Sequence, residues 1–231
     1  MQSLIAEIGR YSLRLAPALI FFGIVIVLLE RWSGSGISMV STLGFIFFSY
    51  LAHRMVLFDL RFGRWGKTEA PEGVFVPPEA IGRFLVVAFI QTAIGWIVVL
   101  PVAWEVSDAF ANPEAGAWSI LPVAALVSWV LLTFLGTIYP AAADHEFPSL
   151  RRALHAGRQT WFSVAWQLLL FPGLFGFVVT AGTLIAIPTA GDADRWDLIL
   201  IALDVLSTAA LLEVQVMIAV ILTRAYRQAW Q

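Results

Sequence analysis

From Phe84 to Trp104 the chain reads FLVVAFIQTAIGWIVVLPVAW, with no charged residue between Arg83 and Glu105. A helix needs about 20 apolar residues to cross about 30 Å of hydrocarbon, and this run supplies them without a break. Strands of a membrane barrel would instead alternate apolar and polar residues over segments of about ten. The run therefore predicts a transmembrane helix over about 80–104.

Five further stretches share its character, at about 11–29, 37–58, 118–139, 161–187 and 198–223. Together they predict an all-α fold, a polytopic membrane helix bundle of about six transmembrane helices forming one domain over residues 1–231. The first apolar run ends in Glu30-Arg31-Trp32 rather than in a small-residue cleavage site, so it reads as a retained helix and not a secretory signal. Pro17, Pro101 and Pro172 are tolerable in membrane helices whose neighbours satisfy the freed carbonyls. Pro172-Gly173 falls mid-span in the long fifth stretch and predicts a kink there.

Composition agrees with this reading. The 231 residues are 60% hydrophobic and 13% charged, where a soluble domain carries about 25% charged residues. A net charge of −2 leaves no basic surface for nucleic acid, so none is expected as a partner. The absence of cysteine excludes disulfides, thiolate metal sites and a cysteine nucleophile.

The basic residues orient the bundle. With the N terminus cytoplasmic, that side holds Arg10, Arg14, Arg54, Arg61, Arg64, Lys67, Arg83, Arg151, Arg152, Arg158, Arg224 and Arg227, twelve of the fourteen. Arg31 and Arg195 fall outside. The positive-inside bias predicts both termini in the cytoplasm. Tryptophan agrees: Trp32, Trp104, Trp118 and Trp196 fall at outer helix ends, and Trp65, Trp161, Trp166 and Trp230 near the inner boundary. Trp96 and Trp129 lie mid-span.

The sixth stretch carries two acids, Asp204 and Glu213, where a mid-bilayer acid costs about 2.5 kcal/mol or more. At about 100° per residue, Asp204, Ser207, Thr208 and Gln215 share one face. Glu213 points the other way, beside Leu206, Ala209 and Ala210, whose small side chains admit a neighbouring helix. One reading makes the polar face, with Gln91, Thr92 and Gln167, the lining of a polar path for protons or cations. The other has Asp204 reaching water or Arg195 near the outer surface, and Glu213 pairing with a basic residue near the inner one. At the inner surface Arg61, Arg64, Lys67, Arg151, Arg152 and Arg158 are candidate contacts for lipid headgroups.

No metal site is expected. The nearest approach is Asp144 with His145 and His155, and a His spacing of ten matches no ligand motif. No cofactor is expected either; mid-membrane histidine pairs for haem are missing. Gly34-Ser35-Gly36 reads as a turn and not as a serine-hydrolase elbow.

Tyr139-Pro140-Ala141, a short acidic turn, then Ser149-Leu150-Arg151-Arg152-Ala153, Gly157-Arg158 and Trp161-Phe162 form a recurrent element. Ser149 can cap a helix that continues into the fifth span. The element, about residues 139–170, resembles the loop between two spans in bacterial six-helix membrane proteins related to the glycerophosphodiester phosphodiesterase membrane domain. The resemblance implies a six-helix inner-membrane module and no active site, since the family's phosphodiesterase activity resides in a separate soluble domain.

Three functions are compatible with these residues. The first is a non-enzymatic accessory, assembly or lipid-contacting component, with membrane lipids as partners and small residues available for a protein partner or a homo-oligomer. The second is a small transporter or channel using the polar face of the sixth helix. The third is a membrane enzyme acting on lipid headgroups through His53, Asp59, Asp144, His145 and His155 at the cytoplasmic face. A cavity reaching Asp204 would favour transport, and a pocket uniting His53 with His155 would favour catalysis.

Overall fold

The computed structural model describes residues 2–33, 39–60, 78–105, 113–144, 149–186 and 198–230. Among the described residues the regular structure is entirely helical: α1 (Gln2–Ser33), α2 (Met39–Leu57), α3 (Pro78–Glu105), α4 (Pro113–Leu135), α5 (Ile138–Ala143), α6 (Leu150–Leu168), α7 (Leu174–Ala186) and α8 (Leu198–Trp230). A π-helical turn, Leu169–Gly173, joins α6 to α7 into one rod. Four segments are long and apolar enough to cross a membrane, namely Leu4–Trp32, Ala80–Pro101, Leu150–Thr183 and Leu198–Trp230. Two shorter apolar helices, Ser41–Leu57 and Pro122–Leu135, complete the six. The nineteen-residue α2 rises about 28 Å, close to the hydrocarbon thickness.

The bundle is apolar on its outside. Phe89 of α3, Phe162 of α6 and Phe177 of α7 are 74, 70 and 70% exposed. Water would oppose such a surface and lipid does not. The chain is an integral membrane protein with an α-helical bundle.

α8 is the central post. It packs on α1, α2, α6 and α7, and its Leu212, Val216 and Leu222 are fully buried with Leu15 of α1 and Phe48 and Met55 of α2. α1 and α8 run antiparallel: Glu7 pairs with Arg224 at 3.5 Å at one end, and Arg31 pairs with Asp204 at the other. Their closest approach uses small residues, as the sequence predicts for Ala209. A methyl group at Gly23 would sit 3.2 Å from the Val205 carbonyl oxygen and 3.6 Å from Ala209 Cβ.

The end that carries both termini is tied together by backbone carbonyls and cations. The last carbonyls of a helix lack intrahelical donors. In α2 those of Val56 and Leu57 accept from the Arg227 guanidinium at 3.1 and 2.9 Å. Asp59 closes the helix in the left-handed region, φ 51°, and Leu60 N–H returns to the Met55 carbonyl at 3.0 Å, as in a Schellman turn. The Asp59 carboxylate accepts from Tyr11 Oη at 2.8 Å and from Arg14 at 2.6 Å. Burial opposes ionisation of Asp59, but those two hydrogen bonds and the Arg14 and Arg10 charges outweigh it and hold its pKa below the ordinary value.

One helix bound differs from the sequence reading for an identifiable reason. The fourth helix ends at Leu135 rather than near 139: Gly136 packs flat against Leu222, where a Cβ would lie 2.6 Å from a methyl carbon. The chain then re-enters the short α5, whose Pro140 has no N–H to continue the α4 ladder. The helix read from Ser149 as leading into the fifth span does start at Leu150, with Ser149 Oγ accepting from Arg152 N–H at 3.4 Å.

Candidate functional site

Inside the bundle two adjoining recesses open, of about 220 and 270 Å³. They share Gln91 and Thr92 of α3, Ser128 of α4 and Tyr139 of α5. Helical spacing builds the α3 wall. Phe84, Ala88, Gln91 and Thr92 face the inner recess, and Gln91, Thr92, Gly95, Trp96 and Val99 continue along the outer one. α2 adds Ser49 and His53, one turn apart, and α8 adds Gln215 and Ile218. Thr92, Trp96 and Ser128 are exposed, so the outer recess opens sideways between α3 and α4.

His53 is the buried head of the inner recess, only 1% exposed. Its ring is boxed by Phe84 and Tyr139, at centroid distances of 5.5 and 5.8 Å, and those two rings lie 5.1 Å apart. His53 Nδ1 lies 2.9 Å from the Ser49 carbonyl oxygen. A carbonyl only accepts, so the proton belongs on Nδ1 and neutral Nε2 presents a lone pair. That Nε2 has no hydrogen-bond partner among the described residues. Thr92 Oγ1 is occupied, donating to the Ala88 carbonyl at 2.8 Å. The Gln91 and Gln215 amides make no hydrogen bond among the described residues. No charged side chain lines either recess. The lining therefore offers neutral donors and acceptors in a medium of low dielectric, where an unpaired ion is costly.

The structure brings together Gln91, Thr92 and Gln215 of the sequence candidates, and separates the others from them. Asp204 pairs with Arg31 rather than with Arg195, which lies outside the described residues. Glu213 accepts a hydrogen bond from Ser12 Oγ of α1, not from a basic residue. Thr208 is buried and Ser207 half-buried, and neither lines these two recesses. Gln167 donates to Ser163 Oγ of its own helix at 2.9 Å. Mid-span Trp129 satisfies its ring N–H on the Ala165 carbonyl at 3.0 Å, while Trp96 stands at the side opening.

His53 and His155 lie in different places. His155 lines a separate recess at the termini end, with Ser149, Arg151, Arg152 and Arg158. Asp144 accepts from Tyr226 Oη at 2.8 Å. Arg61, Arg64, Lys67 and His145 lie outside the described residues. Among the described residues no three His, Asp or Glu side chains gather as a metal site. The sequence reading missed Ser49, Ser128 and Tyr139, and it put His53 at an inner-surface helix end rather than in a buried recess. The i, i+4 pairing of Ser49 with His53 on α2 was the one available signal.

Comparison with protein-family models, with curated proteins and with solved structures finds no match.

Proposed function

We propose that this protein is a non-enzymatic lipid-binding component of the membrane. Its recess holds the uncharged polar head of an amphiphile that slides in sideways from the bilayer. The observation that carries the reading is the pair of unsatisfied mid-span amides, Gln91 and Gln215, beside the unpartnered Nε2 of His53. A polar group in hydrocarbon costs about 1–3 kcal/mol unless something bonds it, and a hydroxyl or amide head supplies what these three lack. Neutral lining favours a neutral head, and the opening between α3 and α4 beside Trp96 leaves room for an apolar tail.

We further propose that both termini are cytoplasmic, on the strength of the arginine distribution, and that the membrane is a bacterial inner membrane, on the resemblance of residues 139–170. An ion-coupled transport role draws less support, because the two intramembrane acids are engaged with Arg31 and Ser12 rather than facing the recess.

The test is thermal unfolding of the purified protein in detergent with monooleoylglycerol or with oleate. Ligand that binds only the folded state raises the melting temperature with concentration. Monooleoylglycerol is expected to stabilise the protein and oleate is not. Gln91→Leu and Gln215→Leu are each expected to remove the effect. An equal response to the two amphiphiles, or a response that survives both substitutions, would sink the reading.

A further inference from the structure

α6 enters the bundle from the termini end with three distinct faces. At about 100° per residue, Ala153, Ala156 and Gly157 turn inward, and all three are buried. Arg151, His155 and Arg158 fall on a second stripe, and all are exposed. Leu150, Leu154 and Trp161 form a third stripe beside it, 56, 39 and 50% exposed. Arg152 flanks the basic stripe and is held in place, donating to the Trp230 carbonyl at 3.1 Å and stacking 4.6 Å above the Trp230 ring.

These basic side chains, with Ser149 and Leu154, border an open recess of about 610 Å³, and among the described residues no acidic side chain lines it. Arg151 and Arg158 form no ion pair among the described residues. His155 Nε2 accepts from the Gln159 amide at 3.0 Å, which places its proton on Nδ1 as a further donor. Guanidinium forks match phosphate oxygens in geometry as well as in charge.

We propose that this recess is a specific site for the phosphate of an anionic phospholipid, whose acyl chain lies along Leu150, Leu154 and Trp161. The adjoining apolar stripe is the reason the occupant is a lipid and not a free anion. It runs alongside the basic stripe and at Trp161 passes beyond Arg158 along the helix, offering an acyl chain apolar contact from which a soluble phosphate gains nothing. The site is remote from the side recess and does not depend on what that recess binds.

The experiment reconstitutes the full chain in phosphatidylcholine bilayers doped with a minor fraction of phosphatidylglycerol. It measures how far phosphatidylglycerol is enriched in the lipid that remains bound after mild detergent extraction. Enrichment is expected for the wild type, falling about fivefold for Arg151→Gln and again for Arg158→Gln, the effect of one arginine near an anionic surface. Arg10→Gln, at another basic cluster of the same end, is expected to leave the enrichment unchanged. Leu150→Ser with Leu154→Ser is expected to weaken retention of the lipid. An equal loss in Arg10→Gln would mean general interfacial charge and overturn the site. Persistence in both recess variants would overturn it too. Displacement of the lipid by excess inorganic phosphate would show an anion site without lipid character and defeat the assignment. Both arginines are exposed, so their replacement spares the packing; if the double variant fails to insert, the two single variants still decide.

Discussion

Gly157 marks a helix crossing with backbone against backbone. A methyl group there would lie 2.3 Å from the Phe134 carbonyl oxygen and 2.8 Å from its carbonyl carbon and Cα, and backbone cannot swing aside as a side chain can. Gly157→Ala is therefore expected to destabilise the bundle by about 1–3 kcal/mol, measured as a lower melting temperature in detergent. Gly9→Ala, with nothing within 4 Å of its added methyl, is the control and is expected to be neutral or slightly stabilising, since alanine is the better helix former. Equal effects at the two positions would contradict the crossing. At this scale the sequence was partly readable. That Ala209 admits a neighbouring helix could be anticipated from its size, but Gly23 as its partner could not. Asp204 stood out by its cost in hydrocarbon, while its pairing with Arg31 joins residues far apart in the chain and leaves no local trace.

Among the elements, the rod of α6 and α7 shows how one residue type sets a helix's course. Pro172 has no N–H, so the Leu168 carbonyl four residues earlier loses its donor. The chain widens into a π turn over Leu169–Gly173, and the freed carbonyl leans on Gly173, where a Cβ would come within 2.9 Å of it. The kink signal at Pro172-Gly173 thus takes the form of a π turn. Gly173→Ala alone is expected to lower the melting temperature. In a Pro172→Ala background, where the carbonyl regains its donor, the same change is expected to cost much less. A double-mutant cycle gives the coupling between the two sites, and strict additivity would refute the link. The broken end of α4 was harder to foresee. It depends on Gly136 lying against Leu222 of α8, a contact across the bundle rather than a feature of the local pattern.

For the molecule as a whole, orientation is the property most open to test. The chain has no cysteine, so single substitutions report without background. Gln228→Cys, at the exposed termini end, is expected to react with a membrane-impermeant maleimide only after cells are permeabilised. Trp32→Cys, 85% exposed at the opposite end, is expected to react in intact spheroplasts. The reverse pattern would invert the bundle, and labelling of both in intact spheroplasts would break the antiparallel pairing of α1 with α8. Membrane crossing could be read from residue order, because the free energy of transfer into hydrocarbon accumulates residue by residue along a segment. The side recess could not. Its walls come from α2, α3, α4, α5 and α8, and which side chains meet there depends on how each helix is rotated about its axis. That rotation follows from close crossings such as Gly23 on Ala209 and Gly157 on Phe134, and the free energy of those contacts exists only once the helices are side by side.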